Sequence, residues 1–527
     1  MPATMAGFAR QFGPFLDVRQ YGATGDGVTD DTAAIQAAIN AGSAGGGGIV
    51  WLPTGTYLIS DQLVTYANVV LAGVHWAAVT IQLANGFPLA KYAITNHAST
   101  VGSGNDVGIV LSHITFDLNA AGQSGAGQNA ACPAFSLTTD LLWDNVHVIN
   151  PYDFAGLING TPGSFAANIR PVMRDCVIEG ATQATNNDLF DFGNSTDGRV
   201  ESCTFDGGNG FSSAWTNHCV YDKCTFANMG TASVPQAAGM GLEGVTNATV
   251  SNCIAYNNAG HGFIVIQWSE DANLQASEDV SYEGCFAIGN NTSRGNNSGF
   301  NAADTQNTNA LPTKGLSYTD CWAIANQSSG FIVSAVIGLT VTGGACINNA
   351  QGLAAVAFNL ANQPSETTAA SNIGCTFEGM QFFDTQATPT QLNGLDINQA
   401  EDVLVAGCRF TQTTSSTIRI DPIGGTAPAS TKLRTKACPG YNPVGSVAVA
   451  IPASATVQTA VPYDMWLYIT AASTSTVAVN VTNAAGTSQT VATIPASAPM
   501  VPVFIPAGSA WSLTYTTAPT ALSAQGL

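Results

Sequence analysis

Charge is scarce in this chain. Only 9% of its 527 residues are charged, and 14 basic residues face 34 acidic ones, for a net charge of −20. So few Lys and Arg argue against a nucleic-acid partner, whose phosphates require clustered cations. They also count against a strongly anionic polymer, which a net negative surface repels. No apolar run reaches the ~18 residues of a membrane span, so no membrane insertion is expected. The 12 cysteines include no CxxC pair, which argues against a thiolate zinc site, and no metal is expected. The opening "MPATMAGFARQFGPFLDV" lacks a basic start followed by an apolar core and does not read as a signal peptide.

Glycine is abundant, at 55 residues, alongside Ala, Thr, Asn and Ser. That composition suits strands and tight turns. The cysteines mark a repeat: "DCVIEG" at Cys176, "SCTFDG" at Cys203, "KCTFAN" at Cys224, "NCIAYNN" at Cys253, "GCFAIGNN" at Cys285 and "DCWAIAN" at Cys321. Cys346, Cys375 and Cys408 continue it, with intervals from 21 (Cys203 to Cys224) to 36 residues (Cys285 to Cys321). Each unit reads as a short strand around the Cys, an Asn/Gly turn, and an apolar strand opened by "GF" or "GL". Without helices between them, these strands cannot make βαβ crossovers, whereas stacked coils bury a continuous core. The expected fold is all-β: a right-handed parallel β-helix with stacked Asn ladders at its turns.

"DDTAAIQAAIN" reads as a short amphipathic helix, capped by Thr29 to Asp31 and apolar at Ile35, Ala38 and Ile39, that covers the first coil. "GGGGIVWLPTGTYLIS" then opens the strands. After "KLRTKACPGYNPVG" the composition turns to Ala, Thr, Val, Ser and Pro with no further Cys, and alternating segments predict a small β-sandwich. The expected organisation is therefore an N-terminal segment and cap over 1–48, a β-helix over 49–436 and a C-terminal sandwich over 437–527. The sandwich is a candidate for trimerisation or glycan binding.

"FLDVRQYGATGDGVTDDTAAIQAAINAG" with "GGGIVWLPTGTYLI" closely resembles the N-terminal signature of the pectate-lyase-like β-helix superfamily. That superfamily includes polygalacturonases, rhamnogalacturonases, mannuronan C5-epimerases and phage tailspike depolymerases. The resemblance implies a polysaccharide partner, and a tailspike-like enzyme implies a homotrimer located in a virion tail or outside the cell. It does not choose between hydrolase, lyase and epimerase chemistry.

An apolar residue 11 to 13 positions before the Cys (Phe190, Phe211 and Leu242) is expected to point inward, and its successor outward. The outward column then reads Asp191, Ser212, Glu243, Ile264, Asn301, Ile332, Ala354 and Asp396. A second column reads Asp188, Asn209, Met240, His261 and Ser298. Asp191 and Glu243, two coils apart, would stand roughly 9–10 Å apart, near the separation of an inverting glycosidase's carboxyls. Asp188 is a third candidate, able to raise a neighbour's pKa. Trp215, His218, His261, Gln267, Trp268, Asn301 and Asp304 are candidate substrate contacts, through ring stacking or hydrogen bonds to sugar. All of these residue types also occur as ordinary core or turn residues of such a repeat.

The favoured expectation is an endo-glycosidase that hydrolyses a surface glycan and needs no cofactor. The alternatives are a lyase or C5-epimerase, for which "NPYDFAGLING" offers Tyr152 and Asp153 and Ca²⁺ becomes relevant, and a non-catalytic glycan-binding adhesin.

Overall fold

The computed structural model describes residues 13–526, except 125–130, 161–166, 181–187, 231–236, 268–274, 293–296, 303–310, 352–355, 361–371, 387–389, 392, 399, 412–415, 422–432, 437, 439–446, 449–450, 460–464, 484 and 499–500. Short strands recur three to a coil and pair in parallel with their counterparts in the next coil, forming a parallel β-helix. One coil illustrates the path. Phe190–Phe192 lies in a 13-stranded sheet, Arg199–Glu201 in a 17-stranded sheet and Thr204–Asp206 in a 14-stranded sheet. These are called the third, first and second sheets below. Phe211–Ala214 then re-enters the third sheet beside Phe190–Phe192.

The repeating cysteines sit at the corner between the first and second sheets rather than within a strand. Cys203, for example, follows Ser202, whose φ is +55°, and precedes Thr204–Asp206. Strand pairing makes Cys176, Cys203, Cys224, Cys253, Cys285 and Cys321 one inward column. The column passes through Gly344 and Met380 before Cys408 resumes it. Cys346 and Cys375 lie in strands instead, so they only imitate the repeat. All of these thiols are buried and unpaired.

Two further columns fill the interior. Phe263, Phe300, Phe331 and Phe358 stack at 5.1, 4.5 and 4.7 Å between successive centroids. Asn258, Asn290, Asn326 and Asn349 form the expected amide ladder, each Nδ2 donating to the next Oδ1 at 2.8, 3.0 and 2.9 Å. Each Nδ2 also donates to a backbone carbonyl, so these buried amides are well satisfied.

The cap is the helix Thr32–Ala44, which buries Ile35, Ala38, Ile39 and Gly42. Gln36 completes it, donating to the Val64 carbonyl at 2.9 Å and accepting from the Val64 N–H at 2.8 Å. Leu63–Thr65 is the terminal strand of the third sheet, so this amide satisfies an edge that has no next coil. The coil begins before the expected residue 49. Phe15–Asp17 pairs with Ile49–Trp51, and Asp26–Asp30 with the strand Gly55–Ile59.

The acidic loop holds its own backbone more than it caps the helix. Asp31 makes no capping bond; its carboxylate accepts from the Thr24 and Gly25 N–H groups at 2.7 and 3.0 Å. Only Asp30 accepts from the helix, at the Thr32 N–H, 3.0 Å away. Asp26 accepts from the N–H groups of Thr29 and Val28, which lower its pKa to about 2.

Beyond Val447 the strands become antiparallel, in a four-stranded and a three-stranded sheet around Leu467, Val479, Ile505 and Leu513. Among the described residues no helix is long and apolar enough to cross a membrane.

Candidate active site

The outward face of the third sheet carries the candidate carboxylates, but in a different register from the expected one. Phe190 pairs with Phe211, Phe211 with Met240, and Met240 with Phe263. Met240, not Leu242, is therefore the inward counterpart, and it stands 13 residues before its cysteine, as Phe190 and Phe211 do. Asp191 stands beside Ser212, and Ser212 beside Gly241. The column continues through Ile264, Asn301 and Ile332 to Asn359, which takes the place expected for Ala354, a residue outside the described set. Glu243 pairs with Ala214, one two-residue step further along the strand. The second expected column shifts likewise, with Ala238 where Met240 was expected. A two-residue slip keeps each side chain on its own face, so alternation alone could not reveal it.

Both carboxylates lean along their strands over a glycine. Asp191 Oδ1 lies 3.0 Å from where a Cβ on Gly193 would stand, and Glu243 Oε1 lies 3.4 Å from the corresponding point at Gly241. Two coils and a two-residue offset place the Cα atoms about 12 Å apart. Since Asp191 reaches forward and Glu243 backward along the strand direction, their carboxyls project into each other's columns.

Asp191 borders a cleft of about 430 Å³ on this face. Tyr92 and Phe154 give it aromatic surface, and Ser99, Ser136 and Asn159 add neutral polar groups. The Asn159 amide donates to Asp191 Oδ2 and so orients the carboxylate. No Lys or Arg is among the cleft's described lining residues. Asp188 is partly buried just before the Phe190–Phe192 strand.

The other candidates disperse. Asn301 shares the Asp191 column and is 4% exposed. Gln267 is buried just beyond Phe263–Ile266, its Oε1 accepting from the Leu311 N–H. Trp215 is 6% exposed and sits at a corner with φ +56°, so it presents little ring surface to a sugar. His218 is exposed at the turn leading into the first sheet, 3.8 Å from Asp197, away from the Asp191 column. His261 is partly buried, and its Nδ1 accepts from the Ser298 N–H at 2.9 Å. Desolvation lowers its pKa to about 4, so it is neutral near pH 7. Trp268 and Asp304 lie outside the described residues, as do Glu270 and Asp271. Trp322 faces outward from the second sheet and stacks on Phe286, so it is not part of this face.

The cleft's lining residues Tyr92, Ser99, Ser136 and Asn159 were not anticipated from sequence. They belong to early coils that lack the cysteine marker. Tyr152 and Asp153 do lie near it, since Phe154 and Leu157 of the same segment line the cleft. Among the described residues no group of three or more His, Cys, Asp or Glu is placed to hold a metal ion.

A parallel β-helix with carboxylates and a cleft on one outward sheet defines the class. Residues 15–264 match the family described as "Rhamnogalacturonase A/epimerase, pectate lyase-like". Among curated proteins, the chain is 38% identical over 116 residues to mannuronan C5-epimerase AlgE5 of Azotobacter vinelandii. It is 37% identical over 116 residues to alginate lyase 7 of the same organism. Each match covers 21% of this chain but only 11% and 13% of those proteins. Among solved structures, the AlgE4 A-module of the same organism aligns over 79% of this chain and all of that one, with a TM-score of 0.55 at 18% identity. Tailspike protein 3 of bacteriophage CBA120 aligns over 84% of this chain and 65% of that one, with a TM-score of 0.51 at 13% identity. These structural likenesses establish the fold.

Proposed function

We propose that this chain is a polysaccharide-modifying enzyme that hydrolyses a neutral or weakly acidic glycan laid along the outward face of the third sheet. The observation that carries this reading is Asp191, oriented by Asn159 in a cleft of aromatic and neutral polar groups. Aromatic faces stack on sugar rings, and hydroxyls and amides pair with sugar hydroxyls. Asp191 serves as the acid that protonates the leaving glycosidic oxygen. Glu243, two coils away on the same face, serves as the base that activates water.

Asp191→Asn and Glu243→Gln, assayed on the polymer that the wild type degrades, test the assignment. Each is expected to lower turnover by about 100-fold or more while the protein stays folded. Wild-type rates in both folded variants would refute it.

A second reading, lyase or C5-epimerase, draws on the epimerase and alginate lyase relatives and on Tyr152 and Asp153 beside the same cleft. Products separate the two: water-added ends mark a hydrolase, an unsaturated uronate end a lyase, and a changed uronate ratio without cleavage an epimerase. Binding with no product of any kind would mark an adhesin. A virion or extracellular location and a homotrimer are part of the proposal, and sedimentation of the full chain tests the oligomeric state.

A further inference from the structure

The C-terminal sandwich carries a second cleft, of about 560 Å³, where two edge strands meet. One wall is Val501–Ile505, the last strand of the four-stranded sheet; the other is Ser488–Ile494, at the edge of the three-stranded sheet. Val503 and Ile505 point into the core, while Pro502 and Phe504 face outward. Phe504 is 39% exposed and lies directly across from Trp466, with ring centroids 5.3 Å apart and planes at 58°. Trp466 and Tyr468 alternate with the buried Met465, Leu467 and Ile469, so they extend the same outer face. Opposite Phe504, the cleft is lined by the exposed Gln489 and by Asn483.

We propose that this cleft binds a neutral glycan chain, making the sandwich a carbohydrate-binding module separate from the β-helix cleft. The Phe504 ring, with Gln489 and Asn483 also lining the cleft, matches the two surfaces of a pyranose, its apolar C–H face and its rim of hydroxyls. Charge restricts the ligand: from Val447 to the C-terminus the chain has one acidic side chain, Asp464, and no Lys, Arg or His. A polyanion would therefore find no counter-charge here. The edge itself argues against a polypeptide strand as occupant. Pro502 within the strand and Pro506 just after it remove N–H donors that strand addition would use.

The test is affinity electrophoresis of the full chain in gels containing dextran, hydroxyethylcellulose, yeast mannan or polymannuronate. Retardation by at least one neutral polymer and not by polymannuronate is expected. Phe504→Ala is expected to weaken that retention by about tenfold, and Gln489→Ala to weaken it less. Since Phe504 is exposed, the unfolding midpoint of Phe504→Ala should stay within about 2 °C of wild type. Absence of retention by every neutral polymer, equal retention by polymannuronate, or full retention in Phe504→Ala would each overturn the proposal. So would self-association that Phe504→Ala abolishes without any glycan retention, because the occupant would then be a second copy of the chain. Retention is read without turnover, so the outcome is independent of the reaction assigned to Asp191.

Discussion

Inside the β-helix, one position holds Phe263, Phe300, Phe331 and Phe358 in turn, and another holds Asn258, Asn290, Asn326 and Asn349. One residue outward from the phenylalanines, the column changes at every coil: Asp191, Ser212, Gly241, Ile264, Asn301, Ile332. The two columns share one set of strands and one backbone register. Interior side chains pack against the ones above and below, which favours repetition. Outward side chains are not held by that stack, so each coil is free to differ, and function can occupy a few coils without disturbing the rest.

That contrast can be broken from the inside or sharpened from the outside. The largest effect on stability is expected for Asn290→Leu, which removes the side-chain donor to the Ala255 carbonyl and the acceptor for the Asn258 N–H and Nδ2, and so breaks the ladder in the buried interior. Denaturant unfolding should show a loss of about 3 kcal/mol or more.

Next is the acid response of His261. Its folded pKa, about 4, lies below the ordinary value, so the unfolded chain binds the proton more readily. Its stabilising contribution is full above about pH 6.5 and is lost as pH falls toward 4. His261→Gln should flatten the fall in stability across that window by on the order of 2 kcal/mol, as read from unfolding curves at stepped pH.

At the cap, Gln36→Ala strands the Val64 N–H and carbonyl at the sheet's end and should cost about 1 kcal/mol in thermal unfolding. The smallest change is expected at the outward Ile332. Ile332→Thr should stay within about 0.5 kcal/mol of wild type, because the position is partly exposed and Thr suits a strand. A large loss there would mean that the outward column is as constrained as the core.

Much of the architecture is legible in the residues. The cap helix with Ile35, Ala38 and Ile39 buried, the Asn ladder and the buried unpaired cysteines all follow local rules that repeat. The site is legible only in part. Asp191 stands out from its strand, whereas Glu243 was placed one step wrong because Met240 and Leu242 are both apolar and both point inward. The 13-residue interval to the cysteine that Phe190 and Phe211 share selects Met240, a spacing cue that alternation lacks. Asn159, Tyr92 and Phe154 come from segments with no cysteine to align them, and nothing local shows that they meet Asp191.

The sequence by itself determined a parallel β-helix, its cap and its change of architecture near Val447, because these depend on propensity, periodicity and turn chemistry within a few tens of residues. The tertiary structure alone decided which outward residues share a column, that Asp191 is held by Asn159, and that two edge strands of the sandwich enclose a cleft beside Phe504. The physical reason is the stacking of coils. Residues some 30 apart in the chain become neighbours about 4.8 Å apart, and the length of each intervening loop sets the register.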